Sequence, residues 1–406
     1  MTRLVEAIVS RLTRKGRAGQ SRPVPSKPAP APQRASASSE PLTKRFPIGL
    51  DLGADSVKWI QLGRTNGQTS IVAFGSQPLT PPSSPSDTEG QAQLREALRR
   101  IVAEHGLSGE VVLSLPLEAV TLRVLKMPVL PEAELQQAIR WQIEQSLPPQ
   151  VSYEDFTVDH LVLEQIGGPW ESRVLVASAP RQLVMAMVDH ARSVGLKPLA
   201  MDIDPVAVAA CVSFQHRFQP EETLLLLHLG SSSASLSIVA KQQLAFSRSI
   251  LTTDHSLTQA VADHLQVSQD QADTLKRTHG LLSSPEVAQT APSSTAPAEA
   301  LAVARALASP LENLLVDMLH AFKGFSYQVT QSQIERFDRI YLSGEGVQLP
   351  GLMPWLKARL NIPVELVNPL AIFPLRESAD SAKPVSEPAS QFAIAMGLAV
   401  SEVPNP

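Results

Sequence analysis

The strongest constraint on this chain is a pattern that occurs twice. IGLDLGADSVKWIQL (residues 48–62) and LLLLHLGSSSASLSIV (residues 224–239) each run an apolar segment into a glycine-led turn and leave it as a second apolar segment. Each reads as strand, tight turn, strand. After each unit comes a further strand-like segment and then alternating helix and strand patterns. A frame that restarts in this way predicts an α/β duplication in two lobes rather than one doubly wound sheet. The copies differ at a telling position: Asp51 stands two residues before Gly53, and His228 holds the equivalent place before Gly230.

Periodicity sets out the rest. TSIVAF continues the first β unit, QAQLREALRRIVAEHG repeats its apolar positions at helical spacing up to Gly106, and EVVLSLP reads as a buried strand. VTLRVLKMP leads into LPEAELQQAIRWQIEQSLPP, a helix opened by Pro131 with acids in its first turn and closed by Pro148. YEDFTVDHLVLEQ and ESRVLVASAP read as a strand pair, RQLVMAMVDHARSVG as a helix, LKPLAMDID as a strand and PVAVAACVSFQHRF as a helix. In the second copy QQLAFSRSI precedes two helical segments, DHSLTQAVADHLQ and SQDQADTLKRTHG. A low-complexity stretch then leads to a helix of roughly 30 residues, longer than the usual globular length. RIYLSGEGVQLPGLMPWLKARL reads as strand, glycine turn, helix, and QFAIAMGLAVS as a closing helix.

Charge divides the chain. Residues 1–46 carry ten Lys/Arg against Glu6 and Glu40, so with a net charge of −4 overall the remainder carries −12. An acidic body with a basic arm is not a duplex-binding profile, though the arm alone could touch anionic lipid or nucleic acid; no nucleic-acid partner is expected. In the arm, Leu4, Val5, Ile8, Val9 and Leu12 share one helical sector flanked by Arg11 and Lys15. Three readings stay open: a helix lying on an anionic membrane surface, a partly ordered tail, or an organellar transit peptide. SRPVPSKPAPAPQRASASSEP after it is a Pro/Ala/Ser linker. No apolar run approaches the roughly 18 residues a membrane-spanning helix needs. Cys211, the only cysteine, excludes an intramolecular disulfide and a cysteine zinc site and fits a reducing compartment.

An Asp-x-Gly turn between paired strands suits nucleotide phosphates. Glycine lets backbone N–H groups approach phosphate oxygens, and the aspartate can orient a hydrated Mg²⁺. LSGEGVQLPG, later in the chain, can bring backbone against ribose and base. A lone Asp-x-Gly is weak evidence, but three such elements in this order across a duplicated frame are stronger. The histidines form no His-x-x-x-His pair, and there is no Gly-x-x-x-x-Gly-Lys-Ser/Thr loop or Gly-x-Ser-x-Gly elbow. Lys58 on its strand reads as a solvated surface residue and Trp141 on its helix as a packing residue. Tyr153-Glu154-Asp155 reads as a solvated face, and His228 as a hydrogen-bonded turn residue.

The stretches IGLDLGADSVKWIQL, LRVLKMPVLPEAELQQAIRWQIEQSLP, LVASAPRQLVMAMVDHARSVGLKPLAMDIDPVAVAA, LTQAVADHLQVSQDQADTLKR, IYLSGEGVQLPGLMPWLKARLNIPVELVNPL and FAIAMGLAV together resemble the actin-like type IV pilus assembly family PilM, relatives of the division protein FtsA. The resemblance runs from about Ile48 to Val400. It implies a duplicated actin-like (RNase H-like) two-lobed fold with a small inserted subdomain. The divisions expected are an arm and linker over 1–46, a first lobe over 47–119 and 181–218, and an inserted subdomain over 120–180. The second lobe is expected over 219–406, with a helical subdomain at about 254–335 and a low-complexity loop at 281–299.

If ATP binds, the resemblance places it on Asp51, Gly53, Ser56, Lys58, Gly230, Ser231, Ser232, Asp273, Lys276, Gly344 and Gly346, with Asp51 reaching Mg²⁺ through water. Departures from the family pattern are Asp55 in a turn usually of serines, His228 for Asp, Thr252 and Thr253 for a glycine pair, and Glu345 for glycine. Two like charges at about 4 Å repel by roughly 1 kcal/mol in water and roughly 4 at an effective dielectric of 20. Several such terms would abolish a micromolar site at tenfold per 1.4 kcal/mol. The expectation is therefore a cytoplasmic scaffold, peripheral at the inner face of the inner membrane, without catalytic residues or a required cofactor. It would bind the cytoplasmic N-terminal peptide of a PilN-like inner-membrane protein between the first lobe and the inserted subdomain. The alternatives are a working ATP switch or slow ATPase, a type II secretion L-like component, and, on the same general fold, a sugar or acetate kinase.

Overall fold

The computed structural model describes residues 42–79, 88–168, 170–281, 298–330, 337–376 and 388–403. The amphipathic arm, with Leu4, Val5, Ile8, Val9 and Leu12, and most of the low-complexity loop lie outside the described residues.

The first lobe opens with β1 (Lys44–Arg45), β2 (Ile48–Leu52), β3 (Ser56–Thr65) and β4 (Gln68–Pro78). β2 is buried along its whole length, because both faces of its sheet are covered. It pairs antiparallel with β3, which places Asp51 opposite Lys58. β4 pairs with the other edge of β3. Helix α1 (Thr88–His105) returns the chain to β5 (Gly109–Leu115), which runs parallel to β2.

Four elements then leave the lobe: β6 (Thr121–Pro128), α2 (Glu132–Glu144), β7 (Phe156–Gly168) and β8 (Glu171–Pro180). Their three strands form a separate sheet in the order β6-β8-β7. Leu135, Ile139 and Ile143 of α2 recur at helical spacing and pack against Met127, Val174 and Val176 in a core of their own. The chain re-enters the lobe through α3 (Arg181–Ser193), β9 (Leu196–Ile203), parallel to β5, and α4 (Asp204–Gln215).

The second lobe repeats the plan with β10 (Thr223–Leu229), β11 (Ala234–Ala240), β12 (Gln243–Ser249), α5 (Asp254–Leu265), α6 (Gln269–His279), α7 (Ala298–Phe325), β13 (Arg339–Ser343), α8 (Leu352–Leu360), β14 (Val364–Leu366) and α9 (Ala393–Val400). Its sheet runs β12-β11-β10-β13-β14, with β10 antiparallel to β11 and parallel to β13. The first sheet runs β4-β3-β2-β5-β9 with the same senses, so the two lobes are topological copies.

Three features depart from the expected divisions. β1 pairs with the far end of β3, so the first sheet begins ahead of Pro47, inside the stretch read as linker. Ile71 of β4 exchanges backbone hydrogen bonds with the segment at Pro374–Arg376, tying the two halves together. α9, expected in the second lobe, packs against α4, β2 and β3 of the first. Gly397 makes that crossing possible, since a Cβ there would run into the Ala207 carbonyl oxygen. A single core joins Ile60, Leu62 and Ala207 to Leu224, Leu226, Tyr341 and the apolar residues of α9. Cys211 is buried there, and burial pushes its thiol up from its ordinary range. Among the described residues no helix is long and apolar enough to cross a membrane.

Candidate functional site

Because β2 and β10 are equivalent strands, their glycine turns meet between the lobes. The turn at Gly53–Asp55, the turn at Gly230–Ser233 and the turn at Gly344–Glu345 after β13 bound a cleft with about 530 Å³ of open space, part of it continuous with solvent. Pro116 and Glu118 after β5, and Asp204 after β9, close it from the first lobe. This is the carboxyl end of both sheets, where open α/β sheets present their ligand sites.

Each turn is locally determined. The Gly230 N–H donates to the Ser233 carbonyl at 2.9 Å. The first backbone N–H groups of α5 donate to the same turn, Asp254 to the Gly230 carbonyl at 3.0 Å and His255 to the Ser231 carbonyl at 2.9 Å. Gly344 takes φ +96°, in the left-handed region, and a Cβ there would collide with the Leu229 carbonyl oxygen. Thr253 caps α5 by accepting from the Ser256 N–H at 3.1 Å, and the Thr252 hydroxyl donates to the Pro310 carbonyl at 3.2 Å. The two threonines in place of a glycine pair are thus buried structural groups.

The side chains that could receive an anion are engaged by the protein's own acids. Lys58 Nζ lies 2.7 Å from Glu345 Oε1 across the cleft and donates to Ser56 Oγ at 2.7 Å. Ser231 Oγ donates to the Asp55 carboxylate, again from one lobe to the other. Asp51 accepts from Ser114 Oγ at 3.3 Å, and that hydroxyl accepts from the Leu52 N–H at 2.8 Å. His228 Nδ1 and Ser343 Oγ are 3.0 Å apart.

Burial drives the electrostatics. It pushes Asp51 up to about 6 against the pull of Lys58, with Glu345 adding to the rise. It raises Asp204 well above the carboxylate range, helped by Asp51 and Glu118, and raises Glu118 itself. Asp55 is raised by burial and by Glu345. His228 is pushed down to about 4 by burial and then by Lys58, so its ring is neutral at neutral pH. Among the described lining residues, Lys58 alone is a cation, against Asp51, Asp55, Glu118, Asp204 and Glu345. An anion entering the cleft would meet Lys58 and Ser231 already held by Glu345 and Asp55. No cluster of three or more metal-ligating side chains is present among the described residues.

The structure gathers Asp51, Gly53, Asp55, Lys58, His228, Gly230, Ser231, Ser232, Gly344 and Glu345 around the cavity, with Ser56 bound to Lys58. Gly346 opens a buried 3₁₀ turn just behind it. Asp273 and Lys276 do not line it. Lys276 is 2% exposed and is held by Asp254 at 2.8 Å, Thr258 at 2.6 Å and Asp273 at 3.0 Å.

Two readings of single residues are corrected. Lys58 is buried, because β3 lies inside its sheet and delivers the side chain into the cleft. Trp141 is 60% exposed, because the packed face of α2 is the one carrying Leu135, Ile139 and Ile143. Glu118, Asp204 and Ser114 were missed. The available signal for the two acids was a carboxylate within three residues of the end of β5 and of β9, in LSLPLE and AMDID.

A second concavity, about 570 Å³, opens between the first lobe and the three-stranded sheet. Thr157 and Asp159 of β7, Ala177–Ala179 of β8, Val184 of α3 and Met201–Ile203 of β9 line it, with Leu115 and Val120.

Two lobes of identical topology, a shared interlobe core and three glycine turns around one cleft define an actin-like protein. The model of the family "Type IV pilus assembly protein PilM" matches residues 49–403. The chain belongs to that family. Solved structures share the fold. A "PilM-PilN type IV pilus biogenesis complex" superposes with a TM-score of 0.70 at 23% identity, over 87% of this chain and 98% of that one. MreB5 of Spiroplasma citri bound to AMPPNP gives 0.52 at 13% identity, over 89% and 97%. The ethanolamine utilization protein EutJ from Carboxydothermus hydrogenoformans gives 0.50 at 10%, over 90% and 92%.

Proposed function

We propose that this chain is a scaffold of type IV pilus assembly whose working surface is the groove between the first lobe and the inserted sheet. The groove would take the cytoplasmic peptide of a PilN-like membrane protein, and the basic arm at residues 1–46 would keep the scaffold close to the inner membrane. The observation that carries the scaffold reading is the pair of cross-cleft contacts, Lys58 to Glu345 and Ser231 to Asp55. Both place a carboxylate where an actin-like clamp would hold phosphate, so the cleft is satisfied without nucleotide. Apolar anchors and backbone hydrogen bonds would supply the partner's affinity.

Calorimetric titration with ATP and Mg²⁺ tests the first half. The native protein is expected to give no binding heat, and the Asp55→Ser/Glu345→Gly double variant to gain it by freeing Ser231 and Lys58. Micromolar binding by the native protein would instead put the nucleotide-switch reading first. The intact placement of Asp51 and three glycine turns around the cavity favours that second reading. Titration with the partner's cytoplasmic peptide tests the second half.

A further inference from the structure

We infer that the segment docking in the groove between β7 and β9 presents a cation, a lysine, an arginine or a free α-amino group, to Asp159 and Asp202. The inference rests on the groove reading above. Apolar side chains make up most of the walls, yet two of the lining residues are carboxylates from facing strands, and none is Lys or Arg. An uncharged occupant would shut both carboxyl groups away from water and hold Asp159 in its protonated form, whereas a cation would draw it into the ionised form and offset both charges.

The surroundings add to that bias. Burial pushes Asp159 up to about 8, and Asp202 on β9 and Glu132 on α2 push the same way. Its Oδ1 accepts from the His160 N–H at 2.7 Å, and the His160 ring lies 3.3 Å from Glu132. β7 and β9 are the outer strands of their sheets, so an extended peptide can add backbone hydrogen bonds at an edge while its cation is read.

The test uses the full chain and two synthetic peptides. One carries the cytoplasmic N-terminal segment of the PilN-like partner. The other is acetylated, with each Lys and Arg replaced by Gln. The native peptide is expected to bind at least about tenfold tighter than the neutral one. Its affinity should rise from about pH 6 to about pH 9 as Asp159 ionises, while that of the neutral peptide does not rise. Asp159→Asn and Asp202→Asn should each shrink the preference without abolishing binding of the neutral peptide. Equal affinity for the two peptides, or a preference untouched by both variants, overturns the inference and leaves the groove in place. Binding of neither peptide to folded protein overturns the groove reading and the inference with it.

Discussion

At Gly344 the backbone conformation and the nearby Leu229 carbonyl both exclude a side chain. Gly344→Ala should lower stability by about 2–3 kcal/mol, read as a shift in urea midpoint. Two buried titrating groups that line the same cleft act in opposite directions. His228 is held neutral down to about 4, so between there and its ordinary 6.5 the unfolded chain binds a proton that the folded chain refuses. Its contribution is therefore lost as pH falls through that window. Asp51 is raised to about 6, so the folded chain binds the extra proton between 3.8 and 6 and gains stability as pH falls. Each effect is worth about 3 kcal/mol, and they largely cancel. His228→Gln should remove the acid-side loss and leave a protein more stable at pH 4.5 than at pH 7. Urea titrations at those two pH values decide it, and an unchanged pH profile would count against the burial of His228.

Among the elements, α5 and α6 are joined by a buried ammonium rather than by apolar packing alone. Lys276→Met should cost about 3 kcal/mol, because Asp254 and Asp273 lose a shared partner. Hydrogen exchange should quicken across α5 and α6 while α1 stays protected. Helices, strands and the duplicated order were legible because they rest on local spacing, as Leu135, Ile139 and Ile143 show. The burial of Lys58 and Lys276 was not. A lysine on a strand or helix face looks solvated until the lobe or helix that covers it is known. The same limit hid Glu118 and Asp204, which sit in different segments and become neighbours only when β5 and β9 lie side by side. The destination of α9 was also illegible, since an all-apolar helix carries no mark of which lobe it covers.

For the whole molecule, the cleft contacts act as a latch between lobes that also share a core. Freeing both turns with Asp55→Ser/Glu345→Gly should raise hydrogen exchange at residues 53–58 and 228–233. The melting temperature should move little, since the shared core outweighs two contacts at the cleft. A change in Gly397 acts on the other bond between the lobes. Gly397→Ala should cost at least about 2 kcal/mol by pushing α9 off α4, and it should melt both lobes together in calorimetry rather than one alone.

The same crossing sets an order of events during synthesis. The face of β2 is covered by α9, which leaves the ribosome more than 300 residues later. A nascent first lobe therefore waits, with an apolar face open to water, until α9 has been translated. At about 5–20 residues per second that interval lasts tens of seconds. A stop codon just before α9 would leave the three glycine turns and the groove encoded and deprive the molecule of the piece that seals it, making a substrate for chaperones and proteases rather than a shortened scaffold.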